Sequence, residues 1–313
     1  MIGERKDILK EKCSYENPRI DKISVERYSY GLEIRKLAKY PLSFPLRINS
    51  HHGVYLWNKP HPHEFNTELP AMLIFNSRLL ESWLMETNKP AFLLPNPFIL
   101  YKRRCKVEIN TEKQSGSIFY LSHSTIDVET EFDALEIIQE LRKLPTDFYP
   151  VKIALHFLDI EKDRHQIFLK NGYRCVSAGH MYNTDFVMNF YAELKSVKYA
   201  LSNTIGSHTF YSVDLGIPFS LIGKEPTYIF PESLNKQNLD NGRNLNLTDN
   251  VKKLVGNNLN YKISNDFSKL VKEELGVNIM VSSLHLFIFL LSNTLKYFFR
   301  KTMSIVIKIE KKS

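Results

Sequence analysis

Between residues 117 and 222 short β-rich runs alternate with helical stretches, and this rhythm constrains the fold more than any other feature of the chain. SIFYLS is followed by FDALEIIQELRKL, amphipathic with Leu135, Ile138 and Leu141 in phase, and then by VKIALHFL. IEKDRHQIFLK reads as a helix stopped at Asn171-Gly172, a left-handed cap pair. YRCVSAG, TDFVMNFYAEL, KYALS, SHTFYSVDL closed by Gly216, and IPFSLIG carry the series to a fifth strand. Parallel neighbours need a crossover, and intervening helices of about ten residues supply it, so the pattern predicts a parallel sheet covered on both faces. Open sheets of this kind bind ligands outside the carboxyl ends of their strands. Three turns fall there: Ser122-His123-Ser124-Thr125, Ser177-Ala178-Gly179-His180, and the stretch from Ser202 to His208.

The remainder is less regular. VERYSYGLEIRKLAKY reads as one short helix and PLRINS as extended chain. Pro70 suits a first helical turn, with Leu73, Leu80 and Leu84 at helical spacing behind it, which predicts a helix near 70–85. AFLL, closed by PNP, reads as a buried strand. These features place a first lobe at 1–104 and a Rossmann-like lobe at 105–232. An Asn-rich linker at 233–265 and C-terminal helices at 266–313 follow. In the last segment Val277, Val281, Leu284, Ile288, Leu291, Leu295 and Phe298 recur at spacings of four and three, and Lys296, Arg300 and Lys301 lie at the end of that stripe.

The 42 Lys and Arg against 34 Asp and Glu give a formal charge of +8, which points to an anionic partner. Nucleic acid is disfavoured, because the charge is dispersed and no helix-turn-helix or RNP-like motif is present. Cys13, Cys105 and Cys175 stand far apart with no CxxC pair, indicating neither a disulfide framework nor a thiolate zinc site. The charged start MIGERKDILKEKC lacks a secretory pattern, so a cytoplasmic location is expected. No GxGxxG, P-loop, GxSxG or HExxH occurs, which removes the common dehydrogenase, NTPase, serine hydrolase and zincin readings.

Each candidate site has a plainer alternative. In TIGSHTFYSVDLGIP, Gly206 permits close approach of a phosphate to a helix N-terminus at which Ser207, His208 and Thr209 add donors; the alternative is a helix cap with no ligand. Ser122, His123, Ser124 and Thr125 suit a pyrophosphate or ribose, or else they head the next helix. His180 faces a ligand or is a loop histidine bonded to backbone. His51-His52-Gly53 follows a strand, so one imidazole can stand at a cleft edge as general base. His61, His63 and Glu64 lack the helical spacing of a zincin, and no metal is expected. Asp159, Glu161 and Asp163 read as a solvated helix start. The C-terminal stripe is too interrupted by Asn, Ser and His to span a bilayer; it reads as an amphipathic helix on anionic lipid, or as one docked on a lobe.

HHG, SIFYLSHSTIDVETEFD, VSAGHMYNTDFVMNFY and SNTIGSHTFYSVDLGIPFSLIG together resemble bacterial glycosyltransferases of surface-polysaccharide (lipopolysaccharide or capsule) gene clusters, of GT-B type, over about 51–225. The resemblance implies an α/β chain of two Rossmann-like lobes, the first one short, plus a C-terminal amphipathic helix. It implies a nucleotide-sugar donor held by the second lobe, at Ser122, His123, Ser124, Thr125, His180, Gly206, Ser207, His208 and Thr209, and no cofactor beyond that co-substrate. The partner on the first lobe would be a lipid-linked or lipopolysaccharide glycan acceptor, deprotonated by His52 or His51. With no glutamate pair of the kind found in retaining members, inversion by single displacement is expected, without metal. Residues 277–301 would rest on the cytoplasmic face of the inner membrane. Two other expectations share these residues: a nucleotide-sugar epimerase or hydrolase, and a non-catalytic membrane-associated assembly protein.

Overall fold

The computed structural model describes residues 2–15, 17, 21–125, 128–230 and 246–310. The chain is an α/β protein with two separate parallel sheets and an antiparallel two-stranded ribbon. Its first part runs α1 (Ile2–Ser14), a 3-10 turn (Ser24–Ser29), α2 (Tyr30–Ala38), β1 (Asn49–Ser50), α3 (Pro62–Phe65), β2 (Met72–Ile74), α4 (Ser77–Glu86), β3 (Ala91–Leu93) and α5 (Pro97–Arg104). The strands pair in parallel in the order β1-β2-β3. AFLL forms a strand, Ala91–Leu93, though a half-buried one and not the buried strand expected. The helix expected from Pro70 does not start there: Met72–Ile74 is the fully buried central strand, and α4 begins only after Asn76, whose Oδ1 accepts from Leu79 N at 2.8 Å. Ala71–Ile74 is apolar throughout, so it carries no phase by which a strand and a helix differ.

The second sheet follows the sequence rhythm closely. β4 (Ser117–Tyr120), β6 (Val151–Ala154), β7 (Arg174–Val176), β8 (Tyr199–Ser202) and β9 (Phe219–Leu221) are all parallel, in the order β7-β6-β4-β8-β9. The chain thus winds outward from central β4 in one direction, then returns and winds in the other, leaving a topological switch between β4 and β8. α6 (Ala134–Arg142), α9 (Phe186–Leu194) and α10 (Ser207–Leu215) form where the sequence predicts helices. Ile118 and Phe119 are buried in different clusters, one on each face of the sheet, as alternation along a strand requires. Two corrections apply. IEKDRHQIFLK is not one helix but α7 (Phe157–Glu161) and α8 (Gln166–Lys170), parted where Asp163 turns to φ 57°. A ribbon of β5 (Glu129–Glu131) with β10 (Thr227–Ile229) also closes over the sheet edge, joining segments almost 100 residues apart.

The two parts share one core. Phe98 of α5 stacks on Tyr211 of α10, with centroids 3.9 Å apart, and Tyr30, Ile34 and Leu94 belong to the same buried cluster as Tyr191, Phe210 and Phe219. Residues 233–245 of the expected linker lie outside the described residues. Its later portion is a helix, α11 (Asn246–Val255), whose Leu247, Val251 and Val255 are buried at four-residue spacing. α12 (Asn265–Glu274) packs against α10.

α13 (Ser283–Glu310) begins six residues later than the stripe at Val277 implied. It docks on the first part of the chain through Leu286, Leu290 and Thr294, with Phe289 against Phe92 and Phe287 against Tyr40. The 4-3 stripe is divided: Leu284 is 64%, Ile288 52% and Leu295 54% exposed, while Val277, Val281 and Leu291 pack against the core. Among the described residues no helix is long and apolar enough to cross a membrane.

Candidate functional site

β4 and β8 end side by side at the switch, and their following residues are tied together. Ser122 Oγ donates to Asn203 Oδ1 at 2.5 Å, and Asn203 Nδ2 donates to the Lys224 carbonyl at 3.2 Å. Next along the chain, His123 is exposed, and its Nδ1 donates to the Ser124 carbonyl at 2.9 Å. A carbonyl can only accept, so Nδ1 carries the proton and Nε2 is left with its lone pair. The His123 ring stacks on His156, with centroids 4.2 Å apart. His208, from the first turn of α10, stacks on Tyr120 at 4.9 Å, and His180 lies 4.4 Å from Phe157 with Nδ1 accepting from Tyr182 N.

The three histidines singled out at the sheet edge therefore converge, joined by His156, which sequence reasoning absorbed into the apolar run VKIALHFL. Burial drives the His156 imidazole well below its ordinary range, with the neighbouring His123 and His180 adding to the shift. Burial, and then His123, push His208 down to about 3. Both rings are neutral at pH 7. Asp159 is not the solvated helix start expected: it is fully buried, with Arg164 Nη1 at 3.2 Å from Oδ1, and burial raises its carboxyl despite nearby His123 and Arg164. Both ring nitrogens of His156, Nε2 of His208 and Oδ2 of Asp159 are buried with no hydrogen-bond partner among the described residues. Such groups carry a desolvation cost and gather where a ligand is meant to meet them.

Several expected donor-site side chains are committed elsewhere. Ser124 Oγ accepts from Thr130 N and Arg164 Nη1, and Thr125 Oγ1 accepts from Val128 N, so both build the turn into β5. Thr209 is fully buried and its Oγ1 accepts from Gly206 N. Gly206 has φ −154°, ordinary extended backbone; its smallness matters because a β-carbon there would sit 2.8 Å from His208 Cε1. Ser207 Oγ accepts from Val54 N at 2.8 Å and so fastens the HHG loop to the N-terminus of α10. A cavity of about 700 Å³ opens next to this edge, lined by Thr130, Phe132, Asp133, Arg164, Lys224 and Thr227. Arg164 links it to Ser124 and Asp159, and Lys224 links it to Asn203.

The two histidines of the HHG loop have different surroundings. His51 is buried, with Nδ1 at 2.8 Å from Glu64 Oε1, so it has no direct access to an acceptor. Burial alone would raise the Glu64 carboxyl, but the bond and charge of His51, with His61 N and Tyr55 OH, hold it below the usual carboxylate range. His52 is exposed, and Arg27 Nη1 lies 3.1 Å from its Nε2. Arg27 sits in a 3-10 turn broken by two successive left-handed residues, Tyr28 (φ 56°) and Ser29 (φ 63°), a conformation costing about 1–3 kcal/mol per residue outside glycine. Tyr28 N donating to the Met181 carbonyl, and Ser29 Oγ donating to the Thr184 carbonyl, hold the turn against the loop after β7. The sequence of this segment gave no hint of the strain. No cluster of three or more His, Cys, Asp or Glu suited to a metal occurs among the described residues. Comparison with models of known protein families and with curated proteins finds no match.

Proposed function

We propose that this chain is a glycosyltransferase of GT-B-like, two-lobed Rossmann architecture. It moves a sugar from a nucleotide-sugar donor to a growing bacterial surface glycan, lipid-linked or part of a lipopolysaccharide. The observation that carries the reading is the convergence of His123, His156, His180 and His208 at the switch between β4 and β8, with both ring nitrogens of His156 and Nε2 of His208 buried and unpaired among the described residues. A donor diphosphate laid against these rings would accept the N–H of neutral His156 in a desolvated setting, where a hydrogen bond to an anion is strong. Its charge would also favour their protonated forms, stabilising the leaving group without a metal.

Transfer is a single displacement. The acceptor oxygen attacks the anomeric carbon as its proton passes to an imidazole, and the bond to the diphosphate breaks with its electron pair on the departing oxygen. His52 is the exposed member of the first-lobe pair and takes the role of base; His51, paired with Glu64, supports the loop. The outward part of the stripe on α13, with Lys296, Arg300 and Lys301, suits peripheral contact with anionic lipid at the cytoplasmic face of the inner membrane.

The test is titration of the full chain with a panel of nucleotide sugars, alongside His123→Ala and His208→Ala. Donor turnover is expected to fall by more than about 100-fold in each variant while the fold is kept. Absence of binding to every nucleotide sugar, together with unchanged cellular glycan in His208→Ala, overturns the reading.

A further inference from the structure

Arg27 stands out among the cations of this protein. Its guanidinium is half-buried at the seam between the first lobe and the loop after β7, and its side-chain partners there are neutral: Nη1 meets His52 Nε2 at 3.1 Å and Nε donates to Tyr182 OH at 3.3 Å. Neighbouring Glu26, buried, is taken by Arg35, which it meets in two bonds of 2.9 and 2.6 Å. Among the described residues no carboxylate lies within ion-pair distance of Arg27, whereas Arg35, Arg47, Arg78, Arg104 and Arg164 each have one. A half-buried guanidinium without a counter-ion, beside an exposed imidazole and a phenol, is a ready receptor for an oxyanion, because its planar fork matches a carboxylate or phosphate and burial reduces screening by salt.

We infer that Arg27 and Tyr182, beside His52, form a binding site for an oxyanion carried by the acceptor, either the carboxylate of an acidic sugar or a phosphate. The assignment of that anion to the acceptor rests on the glycosyltransferase reading; the anion site itself does not. The position fits. Tyr182 follows His180, with rings 5.8 Å apart, so the site adjoins the imidazole cluster, and His52 brings it to the first-lobe side.

The geometry also gives the anion a second task. Arg27 has only donors, so in its contact with His52 the imidazole Nε2 must accept, which leaves the proton on Nδ1. The lone pair that a general base needs is therefore occupied. An oxyanion that draws the guanidinium away frees Nε2, which can then take the proton of the acceptor hydroxyl and become imidazolium. An acceptor without the anion leaves His52 engaged. Selection of acidic acceptors and activation of the base thus share one side chain.

Calorimetric titration of the full chain with glucuronate, glucose 6-phosphate and glucose tests this, with no nucleotide present. At least one of the two anions is expected to bind ten or more times tighter than glucose, and the stronger of them identifies carboxylate or phosphate as the group preferred. Arg27→Gln is expected to abolish that preference while nucleotide-sugar affinity stays within twofold. Equal affinity for glucose and both anions overturns the site, as does an undiminished preference in Arg27→Gln. Should Arg27→Gln fail to fold, Arg27→Lys, which keeps the charge and loses the fork, must still lower the preference at least threefold. Nitrogen NMR of His52 gives a separate readout: the bound anion must shift Nε2, and an unmoved resonance overturns the release of the base. Loss of nucleotide binding alone would refute the glycosyltransferase reading and leave the anion site standing.

Discussion

The two sheets treat ionisable side chains in opposite ways. Around the first sheet, buried ionisable side chains meet an opposite charge, Arg35 with Glu26, Arg78 with Glu274 and His51 beside Glu64, although Arg35 Nε, Ser50 Oγ and the His51 ring nitrogens are there without a hydrogen-bond partner among the described residues. At the carboxyl edge of the second, His123 stacks on His156, and His156 and His208 are driven neutral by burial, with both ring nitrogens of His156 and Nε2 of His208 unpaired among the described residues. Closed pairs fix a framework, since breaking one leaves a buried charge. Neutral, unfilled rings do nothing for stability and keep their hydrogen-bonding capacity for something that arrives from outside. The difference separates charges paired within the fold from rings whose polar atoms have no partner among the described residues.

The comparison breaks most readily at Arg35. Arg35→Met strands Glu26 in the core and is expected to cost about 3–5 kcal/mol in a denaturant melt; a cost under 1 kcal/mol would show that the pair is not structural. Next comes Gly53→Ala, where φ is +72° and a β-carbon would overlap the Ser207 hydroxyl. A loss of about 2 kcal/mol is expected from the left-handed backbone and the clash together.

The most gradual effect is the acid limb, read only over its upper part in the melts proposed. His208 titrates near 3 when folded and near 6.5 when unfolded, so the unfolded chain binds the extra proton between those values. Stability is full above pH 6.5 and falls as the pH drops towards 3, by up to about 1.4 kcal/mol per pH unit for one such group. His156 adds in the same direction. Thermal melts at pH 7.5, 6 and 5 should show the decline, and His208→Gln should flatten it; an unchanged slope would place His208 in water.

What was legible in the sequence divides along the same line. The five strands and their turns could be read because parallel strands with short crossovers impose a rhythm, and that rhythm located His123, His180 and His208 before any geometry. His156 was hidden because a histidine inside VKIALHFL looks like one polar interruption of a core strand. β5 and β10 have three residues each and no pattern, and only their pairing across the fold makes them strands. α13 is apolar on two sides, so its periodicity could reveal a helix without saying that Leu286 and Leu290 turn inward while Leu284 and Ile288 turn out. Arg27 owes its importance to a missing neighbour, and a missing neighbour leaves no trace in a sequence.

The hydroxyl of Ser207 serves two masters. It is the first residue of α10 and it is also the acceptor that clasps Val54 of the HHG loop. The oxygen accepts from Val54 N with one lone pair and keeps its own proton to donate, so an anionic ligand group that takes that proton leaves the clasp in place. The exchange rate of one proton, on Val54 N, is therefore a gauge of how far the two halves of the molecule have parted at any moment.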